Sequence, residues 1–203
     1  MTSDQRGPAM PERGAEFDVF YAQTPPWEIG RPQPALSEVA GEFRGRVLDV
    51  GCGTGEHALL AASMGLQAIG LDAAPTALQM AREKAGERGL NVPFIEGDAL
   101  ELATIFDEPF DTVIDSGLFH VMGDETRPLY VAALGTVTAP GGRYHLLCFS
   151  DQAPGEGGPR RVTESDIRAA FADGWRIDSL ERTTIQSTGM EIPAWRAAIE
   201  RDG

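Results

Sequence analysis

The chain has 203 residues, 42% of them hydrophobic and 24% charged, which suits one domain with a sizeable buried core. Its 31 acidic residues outnumber 17 Lys and Arg for a formal charge of −14, against a nucleic-acid substrate, because Lys and Arg supply most affinity for phosphate backbones. No stretch approaches the ~18 uninterrupted apolar residues of a membrane span, and Met1–Arg13 lacks the apolar run of a secretory signal, so a soluble cytoplasmic protein without membrane partners is expected.

Residues 1–16 read as a flexible arm, and Phe17–Tyr21 as a short amphipathic segment. Four prolines among residues 24–34 exclude regular structure, so an extended stretch is expected to cross the surface. A helix is predicted from Pro34 to about Phe43. From Arg46 onward β and α patterns alternate. Arg46–Val50 is a buried strand running into a glycine turn. A helix with Leu59, Leu60 and Met64 on one side follows and stops at Gly65. Gln67–Leu71 is the second strand, and Pro75 opens a helix carrying Leu78, Ala81 and Ala85. Val92–Glu96 and Phe110–Asp115 are the third and fourth strands.

Next comes a helix with Leu129, Ala133, Leu134 and Val137 inward, terminated by Pro140–Gly142. Tyr144–Phe149 is a fifth strand of the kind covered on both faces. Residues 150–161 form a loop rich in Gly and Pro. Thr163 to Asp166 resembles a capping box for a helix that packs Ile167, Ala170 and Phe171. Trp175 to about Gln186 and Ile192–Glu200 are two strands joined near Thr188-Gly189. Five βα units closed by a hairpin give an α/β class: a doubly wound seven-stranded sheet, mostly parallel, with one antiparallel strand from the C-terminal hairpin. Residues 17–203 are read as a single domain. Its parts are an N-terminal lid and helix (17–45), a ligand-binding core (46–149) and a substrate-side loop, helix and hairpin (150–203).

Gly51, Gly53 and Gly55 follow the first strand, where a doubly wound sheet binds ligands. The third glycine comes one residue earlier than in the dinucleotide fingerprint G-x-G-x-x-G. Asp49 stands two residues before the turn, where a carboxylate repels pyrophosphate and attracts an ammonium group. Asp72 ends the second strand, placed to accept hydrogen bonds from ribose hydroxyls, and Asp98 ends the third, placed to accept from an adenine amine. Cys52 and Cys148 show no paired-thiol spacing; both are expected as free thiols, and no metal site is expected.

Asp49-Val-Gly-Cys-Gly-Thr-Gly55, Leu71-Asp72, Gly97-Asp98-Ala99 and Phe110–Asp115 resemble the successive motifs of class I S-adenosylmethionine-dependent methyltransferases, over roughly residues 46–149. Pro26-Trp-Glu-Ile-Gly-Arg-Pro-Gln33 is similar to the narrower group of thiopurine, thiol and heterocyclic-toxin methyltransferases. The resemblance implies a Rossmann-like fold, S-adenosylmethionine as methyl donor and a small acceptor. It also implies that Trp27 folds over the cofactor's methionine end. Gly51, Cys52, Gly53, His57, Ala73, Ala99, Asp115 and Ser116 are expected to join Asp49, Asp72 and Asp98 around the cofactor. The rim of Ser116–Val121 and Cys148–Asp151 would line the acceptor pocket. Phe17, Tyr21, Phe119, His120 and Asp151 are the expected acceptor contacts, with a flat apolar heterocycle or quinol as acceptor.

Methyl transfer needs alignment above all, an effect that can reach ~7–11 kcal/mol. A thiolate or phenolate needs no base; a neutral nitrogen or hydroxyl gains ~10²–10⁴ in rate from one. His120 is the candidate base, and a packing role is its alternative. His145 is expected to be buried structure. Residues 115–118 read Asp-Ser-Gly-Leu, unlike the tetrapeptide of enzymes that methylate the exocyclic amines of bases. No glutamate lies between Phe110 and Gly123, unlike arginine methyltransferases. Two rival functions stay open at this level: a catalytically silent S-adenosylmethionine-binding module and, more weakly, a nicotinamide-dependent oxidoreductase.

Overall fold

The computed structural model describes residues 14–155 and 157–203. Val47 and Leu48 are neighbours in one strand, and both are fully buried. Successive side chains of a strand face opposite sides, so this sheet must be covered on both. The same holds for Val113 and Ile114 and for Leu146 and Leu147, each pair divided between two hydrophobic clusters.

Seven strands form the sheet: β1 (Arg46–Val50), β2 (Gln67–Asp72), β3 (Phe94–Glu96), β4 (Phe110–Ser116), β5 (Thr138–Phe149), β6 (Trp175–Ser187) and β7 (Met190–Arg201). Their order is β3-β2-β1-β4-β5-β7-β6. β7 runs antiparallel between β5 and β6, and the remaining pairs are parallel. Helices α1 (Pro34–Ser37), α2 (Glu56–Ser63) and α3 (Pro75–Glu87) cover one face. Helices α4 (Leu102–Ile105), α5 (Thr126–Val137) and α6 (Glu164–Ala170) cover the other. The strand order reverses between β1 and β4, so a crevice opens there at their carboxyl ends.

The expected sheet, its hairpin turn at Thr188-Gly189 and the capping box are all present. Thr163 Oγ1 accepts from the Asp166 N–H at 3.1 Å, and the Asp166 carboxylate accepts from the Thr163 N–H at 2.8 Å. Several local expectations need correction. The arm expected over 1–16 lies outside the described residues up to 13, but a 3₁₀ segment already begins at Gly14 and runs to Ala22. The helix expected from Pro34 to Phe43 breaks into α1 and a 3₁₀ turn, Ala40–Glu42. β3 starts at Phe94, two residues late.

Pro140–Gly142 does not follow a helix; α5 ends at Val137 and β5 begins at once. Pro140 has no N–H to donate to a ladder. The register accordingly jumps from Thr138 opposite Phe110 to Arg143 opposite Thr112, and the residues between bulge out. Leu129 is 59% exposed, because Tyr130, Leu134 and Val137 form the buried stripe and Leu129 is a full residue off it. Met64, 44% exposed, lies past the last helical residue of α2 rather than on its inner face.

Candidate active site

Between β1 and α2 the backbone of Gly51, Gly53 and Gly55 takes positive φ angles of 67°, 52° and 84°. A Cβ at Gly51 would stand 3.0 Å from Leu118, and one at Gly53 would stand 2.8 Å from the Tyr21 hydroxyl. Side chains there would both strain the turn and fill the space above it. Asp72, at the end of β2, fastens the turn: its carboxylate accepts from the Gly53 N–H at 2.7 Å and the Ala74 N–H at 2.8 Å.

Asp49 stands behind the turn. Its Oδ2 accepts from the Ala58 N–H at 3.0 Å in the first turn of α2, while its Oδ1 is buried without a partner among the described residues. Burial pushes this carboxyl up to about 7 against the Ala58 N–H, and the nearby Asp72 and Asp115 charges push the same way. An orphaned carboxylate oxygen beneath a turn of three glycines fits a ligand that brings positive charge to it.

One cavity of about 590 Å³ runs from this turn to the opposite rim. Gly51, Cys52, Gly53, Asp72, Ala73, Asp98 and Ala99 line one end. Phe17, Tyr21, Trp27, His57, Ser116 and His120 line the rest, so most of the expected site residues come together. Phe17 and Phe20 each meet Trp27 edge to face, with ring centroids 6.3 and 5.5 Å apart. The Trp27 indole N–H donates to the Tyr21 hydroxyl at 3.2 Å.

The segment from Asp18 to Gln33 is tied down along its length. Asp18 accepts from the Thr76 N–H at 2.8 Å, at the start of α3. The Pro26 carbonyl accepts from the Thr188 N–H and the Ser187 hydroxyl, each at 2.8 Å. Gln33 and Gln186 exchange two hydrogen bonds of 2.9 and 2.8 Å, and the Gln33 N–H donates to His57 Nε2 at 3.1 Å. Glu28 pairs with Lys84 at 3.2 Å and accepts from the Thr54 hydroxyl. The proline-rich stretch is therefore a strap fixed across the crevice.

His120 sits in a 3₁₀ turn, Phe119–Val121, beyond β4. Its Nδ1 accepts from the Phe149 N–H at 2.8 Å, and the rings of His120 and Phe149 lie 4.5 Å apart. Burial holds its imidazole down at about 3, with the Arg161 guanidinium acting the same way. Burial likewise holds His57 at about 4. His145 is buried within β5, 5.1 Å from the Phe43 ring, as expected of a structural residue.

Four expected residues stand outside the cavity wall. Asp49 is behind the turn. Asp115 is buried in the core with both oxygens occupied. It accepts from the Leu118 and Phe119 amides at 2.7 and 3.1 Å and from the Tyr130 and Tyr144 hydroxyls at 2.8 and 2.6 Å. It therefore sets the turn that carries His120 and does not face a ligand. Phe119 is fully buried against Phe171. Asp151 is at the surface, 3.1 Å from Arg182. Arg161 and the hairpin residues Ile185, Met190 and Ile192 line the cavity without having been expected there. A pair of adjacent cations in the glycine-rich loop, Arg160 and Arg161, was the only signal for Arg161. The hairpin was expected on the substrate side as a segment, but no single residue of it was marked, since only the insertion of β7 beside β5 brings its tip to the rim.

Among the described residues no group of His, Cys, Asp and Glu could hold a metal ion, and no helix is long and apolar enough to cross a membrane. Cys52 and Cys148 are both free.

Residues 47–142 match the family described as methyltransferase domain. The chain is 41% identical over 173 residues to the 2-heptyl-1-hydroxyquinolin-4(1H)-one methyltransferase of Mycobacteroides abscessus, covering 83% of this chain and 76% of that one. A solved protein described for the conversion of a disulfide bond into a thioacetal group during echinomycin biosynthesis is 38% identical, with a TM-score of 0.83 and 93% of both chains covered. The magnesium protoporphyrin IX methyltransferase of Synechocystis PCC 6803, solved with bound S-adenosylhomocysteine, shares the fold at 21% identity, with a TM-score of 0.65 over 83% of this chain and 79% of that one. With the glycine turn, its two flanking aspartates and the strapped crevice in place, the chain belongs to the S-adenosylmethionine-dependent methyltransferases.

Proposed function

We propose that this enzyme methylates oxygen, sulfur or nitrogen of a small aromatic or heterocyclic acceptor bound between the aromatic lid and the turn that carries His120. The observation that carries the reading is the continuity of one cavity from Gly51 and Gly53 to Phe17, Tyr21 and Trp27. A donor methyl and an acceptor ring then share one space, where alignment supplies most of the acceleration. S-adenosylmethionine brings an electrophilic methyl on sulfur. Asp72 is assigned its ribose, Asp98 and Ala99 its adenine end, and Gly51, Cys52, Gly53, Ala73 and Ser116 its contour. Trp27 covers its methionine end, and Asp49 offsets its ammonium group from behind the turn.

The relative from Mycobacteroides abscessus is named for a hydroxyquinolinone, a flat heterocycle with an apolar tail. The aromatic wall of this cavity suits such a shape. Transfer of labelled methyl to a panel of aromatic hydroxyls, thiols and heterocyclic nitrogens tests the proposal. Transfer to at least one class is expected, falling at least ~10-fold when Tyr21 and Trp27 are both replaced by Ala, the loss of about 1.4 kcal/mol of contact. Unchanged transfer in that double variant would contradict the lid's role.

A further inference from the structure

We infer that the acceptor is methylated as an anion it brings with it, an ionised aromatic hydroxyl or thiol, and that His120 donates a hydrogen bond to that anion instead of removing a proton. This rests on the methyl-transfer reading above and narrows its acceptor class.

A neutral imidazole has one N–H and one basic nitrogen. Two of the chain's three histidines line the cavity, and in both the basic nitrogen is engaged by a backbone amide. His120 Nδ1 accepts from the Phe149 N–H at 2.8 Å, so its proton is on Nε2. His57 Nε2 accepts from the Gln33 N–H at 3.1 Å, so its proton is on Nδ1. Phe149 is held within β5 and Gln33 within the strap, so neither amide can turn to another partner. For either ring to serve as a base, a buried N–H would have to be stranded.

The other titratable groups on the wall are engaged or held protonated: burial pushes the Cys52 thiol up, and the Arg31 guanidinium donates to Gln186 at 2.8 Å. Glu28 and Glu56 are held by Lys84, and Glu56 also by Arg88 at 2.8 Å. Asp72 accepts from the Gly53 and Ala74 amides, and Asp98 from the Leu100 N–H at 2.9 Å. The Tyr21 hydroxyl accepts from Trp27, and its burial keeps it protonated. The charged group acting on His120 among the described residues is a cation, Arg161. Its guanidinium donates to the carbonyls of Ala153, Pro154, Gly157 and Pro159, which fixes it on the cavity wall. The acceptor end of the cavity thus offers an N–H and a positive charge, and no free base.

Such a site selects an acceptor already ionised in solution. As the acceptor's O–C or S–C bond forms, the sulfonium C–S bond breaks and its pair stays on sulfur. The negative and positive charges vanish together, and no proton moves within the protein.

Nitrophenols of graded acidity provide the test, because absorbance reports which form is bound. On protein saturated with S-adenosylhomocysteine, the bound probe should titrate about one unit below the free probe, which is ~10-fold preference for the anion. His120→Ala should abolish that preference. With S-adenosylmethionine, the rising limb of kcat/KM against pH should move with the acidity of each acceptor and persist in His120→Ala at ~10-fold lower rate. Binding of the neutral form only, binding of neither form, or a limb fixed at one pH for every acceptor and lost in His120→Ala would each overturn the inference. So would rescue of His120→Ala by added imidazole. Absent transfer to any ionisable acceptor with S-adenosylhomocysteine binding intact also overturns it, whereas lost S-adenosylhomocysteine binding strikes at the proposed function itself.

Discussion

Asp49 holds one carboxylate oxygen on an α2 amide and leaves the other unpartnered, and burial raises its pKa from 3.8 to about 7. Near neutral pH its protonated form is therefore populated in the free protein. An ammonium group arriving at the turn lowers that pKa, so cofactor binding should release protons. Calorimetry with S-adenosylhomocysteine near pH 7 should give a heat that varies with the ionisation enthalpy of the buffer, and Asp49→Asn should remove the variation. Asp115 is different: it terminates four donors inside the core, and its neighbours gain nothing if it leaves. Asp115→Ala should cost about 3 kcal/mol or more, read by chemical denaturation, because several buried donors lose their acceptor. The glycine turn and Asp72 were legible in the sequence because each is a local signal at a strand end. Asp115 and Phe119 were not, since one residue's rotation decides whether a side chain at that end meets the crevice or the core.

The strap is an element with no regular structure that is nevertheless fixed at Pro26, Glu28 and Gln33, just after a 3₁₀ segment fixed at Asp18. Its prolines announced an extended path, but nothing local foretold its partners, which lie on α2, on α3 and at the hairpin tip. His57 is one of its anchors, with a pKa held down from 6.5 to about 4. The sign follows from that depression: its neutral form stabilises the fold fully above pH 6.5, and the contribution is lost as pH falls through about 4. Wild type should therefore melt above His57→Ala at pH 7, and the gap in Tm should narrow as pH falls to 4. The long periodic elements were legible for the same reason that α1 and the start of β5 were not. Periodicity needs several turns or residues, whereas α1 has four residues and the Pro140–Gly142 bulge breaks a ladder that only the facing strand reveals.

Across the whole molecule, a formal charge of −14 creates a field that attracts cations. S-adenosylmethionine carries one net positive charge and S-adenosylhomocysteine none. Stopped-flow association of the methyl donor should slow several-fold between low salt and about 0.5 M salt, as the field is screened, while that of the product changes little. The sheet order that places the crevice between β1 and β4 was legible from the alternation of strands and helices, because right-handed crossovers leave few alternatives. The end of the crevice away from the glycine turn was legible only in part, since the strap, the 157–161 loop and the hairpin, three segments remote in sequence, all line it.

The central claim is that the glycine turn and Asp72 form the cofactor site at one end of this cavity. Calorimetric titration with S-adenosylhomocysteine tests it most directly. The account predicts one molecule bound per chain and binding ~10–100-fold weaker in Asp72→Ala, the loss of about 1.4–2.8 kcal/mol of hydrogen bonding to a charged acceptor. Equal affinity in Asp72→Ala, or no binding by the wild-type chain, would contradict it.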